Sequence, residues 1–121
     1  MCIGVLQPVL TFGPTCAPNQ VAEQIKTPYF GWAISAQYVN TIGSFSGYTG
    51  CLGGDFMAVN PGDILAIEMK LLNGTTSTWF QKVTSSATKK SVEYTIDMKG
   101  QKQGWAEYVI ELYDEASLKN V

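Results

Sequence analysis

Apolar and polar side chains alternate along much of this chain with a period of two residues, and turn residues interrupt the alternation. The clearest example is residues 63–72, where apolar positions fall on one face and charged positions on the other. The apolar face consists of Leu65, Ile67, Met69 and Leu71, and the charged face of Glu68 and Lys70. Because successive side chains of a β-strand point to opposite faces, this stretch is predicted to be a strand with one buried face. The Asn73-Gly74 pair that follows predicts a tight hairpin to a second strand at residues 76–84.

The same pattern predicts further strands on both sides of this hairpin. They cover residues 3–10, 29–39, 91–98 and 105–112. Within residues 91–98 the apolar face consists of Val92, Tyr94, Ile96 and Met98. Residues 41–54 contain five glycines and are predicted to be an irregular loop, and no window has a sustained helical period. Six or seven strands with short turns predict an all-β fold, an antiparallel β-sandwich or jelly roll, that forms a single domain over residues 1–121.

The composition excludes several classes of function. The chain has no His and no Arg, and its 8 Lys against 10 Asp and Glu give a net charge of −2. Without His there is no Ser-His-Asp or Cys-His nucleophile pair and no histidine metal site. Without Arg or a basic surplus, nucleic acid is not expected as a partner. No stretch has the roughly 18 to 20 apolar residues of a membrane span, and the N-terminus lacks the pattern of a signal peptide.

The three cysteines, Cys2, Cys16 and Cys51, allow at most one internal disulfide. Cys16 and Cys51 lie in loop-like surroundings, so a bridge between them is one interpretation and three unpaired, buried thiols are the other. No metal site is predicted, because the sulfurs have neither CxxC spacing nor a His partner. Any chemistry must therefore use carboxylates, amides, hydroxyls, lysines or thiols.

Polar residues within two predicted strands are candidates for such chemistry. Gln7 interrupts an apolar segment; a buried amide there needs hydrogen-bond partners from neighbouring strands, and a fixed amide can also donate to a developing oxyanion. Glu107 and Glu111 share a strand face with Trp105, opposite the apolar face of residues 105–112. A carboxylate beside aromatic rings can act as a general acid or base, and the alternative is an ordinary solvated strand face.

Two motifs, in this order along the chain, resemble those of a known family. Gly-Val-Leu-Gln-Pro-Val-Leu occupies residues 4–10 and Ala-Glu-Tyr-Val-Ile-Glu occupies residues 106–111, with residues 59–65 and the Trp79 strand between them. Together they resemble the glutamic peptidases, also called eqolisins, over essentially the whole chain. The resemblance implies a secreted, acid-active endopeptidase with a concanavalin-like β-sandwich, a polypeptide substrate and no cofactor.

The catalytic dyad implied by this resemblance is Gln7 and Glu107. Glu107 is expected to act as general base on a water that attacks the scissile carbonyl, and then to protonate the leaving amine. Gln7 is expected to hold that water and to stabilise the tetrahedral oxyanion. The motifs match the later part of a family member, so a second chain or a second copy of this chain is expected to complete the sheet.

Three aromatic side chains and one carboxylate are the candidates for substrate contacts. They are Trp32, Tyr38, Trp105 and Glu111. At the strand of Trp32 the family carries a Trp-Tyr-Glu-Trp type run with an acidic residue, and this chain has Trp-Ala-Ile-Ser-Ala-Gln-Tyr. The alternative function is therefore a non-catalytic, lectin-like module whose aromatic cleft binds a glycan or a protein. The sequon Asn73-Gly-Thr makes Asn73 a candidate glycosylation site, although a hairpin turn explains the same residues.

Overall fold

A computed structural model of the chain describes residues 5–12, 31–45, 48–104, 106 and 108. Within these ranges the chain forms seven β-strands and no helix. The strands are β1 (Val5–Phe12), β2 (Trp32–Phe45), β3 (Tyr48–Gly53), β4 (Met57–Val59), β5 (Leu65–Leu71), β6 (Thr78–Ser85) and β7 (Ser91–Asp97). All pairings between them are antiparallel. The predicted all-β, antiparallel fold is confirmed, and the strands form two sheets.

The first sheet is built around β2, the longest strand. β1 pairs along one side of β2. On the other side, β3 pairs with one part of β2 and the short β4 with another. The stretch of β2 from Ala33 to Tyr38 is buried on both of its faces.

The second sheet has the strand order β5-β6-β7. The hairpin between β5 and β6 is closed by the Leu72 N–H, which donates to the Thr78 carbonyl oxygen at 2.9 Å. Inside it, the Thr75 N–H donates to the Leu72 carbonyl oxygen at 3.2 Å, and Gly74 has a φ of 77° while Asn73 does not have a positive φ. A positive φ at only the second central residue is typical of a type II turn. The predicted hairpin is confirmed, because β5 pairs with β6 across this turn, and the Asn-Gly turn lies inside a wider loop.

The two sheets pack face to face around two groups of apolar side chains. One group joins β2 and β4 to β6 and β7, and consists of Ile34, Met57, Val59, Val83 and Val92. The other joins β1 and β2 to the end of β7, and consists of Leu6, Tyr38, Ile96 and Met98. Along β7 these buried side chains alternate with exposed ones, as the pattern of residues 91–98 predicts. The core therefore follows the period of two in the sequence.

β5 is the strand of the second sheet that the first sheet leaves uncovered. β2 lies over β6 and β7, and β1 lies over β6. Leu65, at the start of β5, packs against the core, but Ile67, Met69 and Leu71 are exposed. The alternation of residues 63–72 correctly predicts a strand. The prediction that its whole apolar face is buried is wrong, because the strands described for the first sheet do not extend over it.

The prediction that residues 41–54 form an irregular loop is also wrong, because residues 41–45 and 48–53 lie in strands. β2 continues into this segment and β3 returns from it. A Cβ at Gly53 would lie 2.8 Å from the Ala36 carbonyl oxygen, and one at Gly54 would collide with the Glu93 carbonyl oxygen. Glycine is used at these two positions because another strand approaches closely.

Residues 105–112, predicted to form a strand, lie mostly outside the described residues. Ala106 and Tyr108 are described, and both lie outside any strand. Tyr108 is 96% exposed. At these two positions the prediction of a buried strand face is wrong, because no described strand pairs with them.

Candidate functional site

Gln7 lies in the middle of β1, where the strand register decides which way its side chain points. It is directly opposite Gln37 of β2. Its neighbour Leu6 is buried between the sheets with Tyr38 and Ile96. Because side chains alternate along a strand, Gln7 points away from the second sheet. Its side chain is half-buried on this outer face of the first sheet.

Gln7, Ser35 and Gln37 form a row of polar residues on the outer face, which we call the amide row. Ser35 and Gln37 are fully buried. The Gln37 Nε2 donates a hydrogen bond of 2.6 Å to the Ser35 Oγ. The Gln37 Oε1 is buried and has no hydrogen-bond partner among the described residues. The amide row therefore holds an unused acceptor directly across the ladder from Gln7, where a buried polar atom without a partner is costly.

A further glutamine holds the backbone of the amide row from the inner side. Gln81 is fully buried on the inner face of β6, and its Nε2 donates to the Gln37 carbonyl oxygen at 2.9 Å. This hydrogen bond joins the two sheets and fixes β2 at the amide row. Within the described ranges, the Gln81 Oε1 also has no hydrogen-bond partner.

Sequence reasoning missed both Gln37 and Gln81. Gln37 lies between Ala36 and Tyr38, which is the apolar setting that drew attention to Gln7. The same signal, applied to residues 29–39, would have found it. Gln81 gives no such signal, because its neighbour in the sequence is a lysine, and its burial depends on how the two sheets pack.

Trp32 lies on the opposite face of the first sheet from Gln7. It shares the inner face with Ile34, but at the end of β2, and it is 41% exposed. Its ring lies against that of Phe12, with the centroids 5.2 Å apart and the planes tilted by 56°. The structure therefore does not bring Trp32 and Gln7 together.

Trp32 instead borders an open groove of about 300 Å³ at one end of the packed sheets. The groove is lined by Leu10, Trp32, Val59 and Leu65 and by the turn of residues 60–63. The Asp63 N–H donates to the Asn60 carbonyl oxygen at 3.0 Å, and the Asn60 N–H donates to the Asp63 Oδ2 at 2.9 Å. The groove thus combines an exposed aromatic ring with a carboxylate and an amide held in a closed turn.

Tyr38 is fully buried, so its ring is a core residue and has no surface for a substrate. It packs between the sheets with Leu6, Ile96 and Met98. The expectation that Tyr38 contacts a substrate is corrected here. The physical reason is its position on the inner face of β2, where the second sheet covers it.

The remaining candidate residues are only partly described. Asn73 is exposed in the turn between β5 and β6, and its glycosylation stays a prediction. Cys51 lies in β3. Five further candidates lie outside the described residues, and the dyad, the disulfide and the substrate contacts that involve them stay predictions; they are Cys2, Cys16, Trp105, Glu107 and Glu111.

Two carboxylates have a pKa below the ordinary value. The Lys99 N–H, at 2.8 Å from the Asp97 Oδ1, and then the Ser77 hydroxyl, at 3.0 Å, lower the pKa of Asp97. A hydrogen bond and the positive charge of Lys70, at 2.8 Å, lower the pKa of Glu68. Both groups are thus kept ionised, which suits neither for the role of a general acid. Both residues lie on the second sheet, away from the amide row.

Within the described ranges, no three His, Cys, Asp or Glu residues come together as ligands for a metal ion. The described part of the chain also contains no helix with the length and apolar character needed to cross a membrane. Comparisons with protein families, with curated proteins and with solved structures find no match for this chain. The amide row and the groove at Trp32 are therefore interpreted from their own chemistry.

Proposed function

We propose that this chain is a glutamic-peptidase-like hydrolase that cleaves polypeptides at acidic pH. The observation that carries the proposal is the amide row, in which the side chain of Gln7 points away from the core beside the buried Gln37. The motif resemblance assigns the amide role to Gln7 and the carboxylate role to Glu107. A mechanism with one amide and one carboxylate needs neither His nor Arg, and the chain contains neither.

In the proposed reaction, Glu107 takes a proton from a water molecule while the water oxygen forms a bond to the scissile carbonyl carbon. The Gln7 amide donates to the oxygen that becomes negatively charged in the tetrahedral intermediate. The carbon–nitrogen bond then breaks, and Glu107 returns its proton to the leaving amine. All atoms are balanced by one water molecule for each bond cleaved.

Gln37 supports this proposal because its buried Oε1 has no hydrogen-bond partner among the described residues, which lowers the stability of the fold. Leaving a buried acceptor without a partner costs about 1–3 kcal/mol, and a methionine of similar length would avoid the cost. We interpret the Gln37 Oε1 as an acceptor for the bound water, which places that water next to Gln7. Gln37 is then a positioning residue, and the Gln81 hydrogen bond to its carbonyl oxygen fixes its backbone.

The test is cleavage of a denatured protein between about pH 3 and pH 5, where a carboxylate near its ordinary pKa titrates. We expect Glu107→Gln and Gln7→Ala to abolish cleavage. Glu93→Gln is the matched control, because it removes one carboxylate from the exposed face of β7 and leaves the amide row intact. Gln37→Met is expected to keep the fold and to reduce kcat more than it raises KM, because it removes an acceptor for the bound water.

Two results would overturn the proposal. One is equal cleavage by the wild type and Glu107→Gln. The other is an absence of cleavage by folded wild-type protein, both alone and after a second chain has been supplied to complete the sheet.

A second candidate function is glycan binding at the groove beside Trp32. The observation that favours it is the exposed pair of Trp32 and Phe12 rings next to the turn that holds Asp63. Aromatic faces stack on sugar rings, and carboxylate and amide groups bind sugar hydroxyls. On a glycan array, Trp32→Ala should abolish binding. Tyr108→Ala is the control, because Tyr108 is an exposed aromatic residue that does not line the groove, and it should leave binding unchanged. Binding by neither the wild type nor the control would remove this candidate.

A further inference from the structure

We propose that two copies of this chain associate through their β5 strands, which pair antiparallel to give one continuous sheet. β5 is an edge strand of the second sheet, with β6 on its only paired side among the described residues. The opposite edge of that sheet, at β7, is approached closely by Gly54. The surface involved consists of Ile67, Met69 and Leu71 on the inner face and of Glu68 and Lys70 on the outer face.

The hydrogen bonds between β5 and β6 show which main-chain groups of β5 point to its outer edge. The Leu72 N–H donates to the Thr78 carbonyl oxygen, and the Ile64 carbonyl oxygen accepts from the Ser86 N–H. Along an antiparallel strand, the main-chain N–H and C=O groups of successive residues point alternately to one neighbour and to the other. The groups of the even-numbered residues of β5 therefore point to β6. The N–H and C=O groups of Ile67, Met69 and Leu71 therefore point to the outer edge. These groups can form the hydrogen-bonded pairs of an antiparallel ladder with a second copy.

Charge decides the register of this ladder. When Met69 of one copy pairs with Met69 of the other, Glu68 of each copy lies directly opposite Lys70 of the other. A register centred on Glu68 would place two glutamates opposite each other. One centred on Ile67 would leave both charged side chains opposite apolar residues. Because opposite charges directly across a ladder stabilise it and like charges destabilise it, the register centred on Met69 is selected.

This register also extends a charge pattern that the chain already contains. On the outer face, Glu93 of β7 is opposite Lys82 of β6, and Lys82 is opposite Glu68 of β5. Lys70 of the second copy would come next, so that the signs alternate across the junction. The two-fold axis stands perpendicular to the sheet. The pairs formed by Ile67, Met69 and Leu71 with the second copy each exchange two main-chain hydrogen bonds, which gives about six in total.

The inner face gives the apolar contacts. Ile67, Met69 and Leu71 are each about 40% exposed in the single chain. In the register centred on Met69, Ile67 lies beside Leu71 of the second copy and the two Met69 side chains lie beside each other. The exposed apolar strip of one copy is thus placed against the identical strip of the other, which removes part of both from water.

The test is the oligomeric state of full-length chain variants, measured by sedimentation and light scattering from micromolar to near-millimolar concentration. We expect the wild type to dimerise and both Glu68→Lys and Lys70→Glu to raise the dimer dissociation constant by about tenfold or more, because each creates two like-charge pairs. An equimolar mixture of the two variants should dimerise again, since every cross-copy pair is then Lys with Glu.

Matched controls separate this effect from net charge. Glu93→Lys makes the same charge change as Glu68→Lys and also faces Lys82, but it lies on β7. Lys90→Glu matches Lys70→Glu in the turn before β7. Both controls should dimerise like the wild type, and near-ultraviolet circular dichroism should show that all variants are folded. If a charge variant fails to fold, Met69→Lys replaces it, because this exposed position tolerates a lysine and would set two lysines face to face at the junction.

The proposal is overturned if the folded wild type is a monomer over the whole concentration range. It is also overturned if the mixture of Glu68→Lys and Lys70→Glu stays monomeric, or if a dimer forms that none of the β5 variants weakens.

Discussion

Ile67 of β5 and Val83 of β6 are direct neighbours across one ladder and point to the same face of the second sheet, yet their environments differ completely. Val83 is 0% exposed and Ile67 is 42% exposed. Both side chains are branched and apolar, so the difference does not come from the type of residue. It comes from the first sheet, whose described strands lie over β6 and β7 and do not extend over β5. Alternation decides the face of a side chain, and the opposite layer decides whether that face is buried.

The largest predicted effect is the change in the free energy of unfolding when an isoleucine is replaced by alanine. Ile34→Ala, in the covered core, should lower the free energy of unfolding by about 2–5 kcal/mol, because it leaves a cavity. Ile67→Ala, on uncovered β5, should lower it by less than about 1 kcal/mol. Urea unfolding at low protein concentration, where the chain is a monomer, measures both. Equal losses would mean that β5 is covered within the single chain.

A smaller effect is expected at the buried glutamine that joins the two covered layers. Gln81→Ala should lower the free energy of unfolding by about 2 kcal/mol, because it creates a cavity and removes the hydrogen bond to Gln37. Gln81→Met should change it by less than about 1 kcal/mol, since a lost hydrogen bond of about 1 kcal/mol is offset by removal of an acceptor without a partner. Chemical denaturation of the two variants compares them. A large loss in Gln81→Met would show that the Gln81 Oε1 has a partner.

The smallest effect concerns pH and the two carboxylates with a lowered pKa. Asp97 is held by a backbone N–H and a hydroxyl next to buried Met98, whereas Glu68 is held by one exposed lysine on β5. Because folding lowers the pKa of Asp97, its stabilising contribution is complete above the unfolded pKa, near 3.8, and is lost as the pH falls through the folded pKa.

Thermal unfolding measured as a function of pH tests this difference. Asp97→Asn should reduce the loss of stability below about pH 4. Glu68→Gln should reduce it less, because solvent screens an exposed ion pair. A larger change in Glu68→Gln than in Asp97→Asn would reverse the expected order.

The period-two pattern was sufficient to predict most of the strands and the face to which each side chain points. For residues 91–98 it also predicted burial correctly, since Val92, Ile96 and Met98 are in the core and Tyr94 packs against it. It could not predict that β5 is uncovered, because the position of one sheet over another depends on contacts between residues distant in sequence. Residues 41–54 were misinterpreted for a different reason: their glycines accommodate close strands, and composition alone cannot distinguish that use from a turn.

The candidate site was predictable to a smaller extent. The apolar setting of Gln7 drew attention to it, and its position across from Gln37 follows from the register of β1 and β2. Tyr38 and Trp32 were grouped with it as aromatic residues, although the alternation of β2 puts both on the inner face. Because odd and even positions of β2 point to opposite faces, Trp32 and Tyr38 lie on the face opposite to Gln37. This places them away from Gln7 only once Gln37 is known to lie opposite Gln7.

The proposed function requires the amide of Gln7 and the carboxylate of Glu107 to act on one water molecule. The most direct measurement is the distance between these two groups in a crystal structure of the active protein near pH 4, a value close to the ordinary pKa of a glutamate. We expect both groups on the outer face of the first sheet, within about 6 Å of each other, so that one water can bind to both. A Glu107 carboxylate on the opposite face of the sheet, or beyond the reach of a shared water, would contradict the claim.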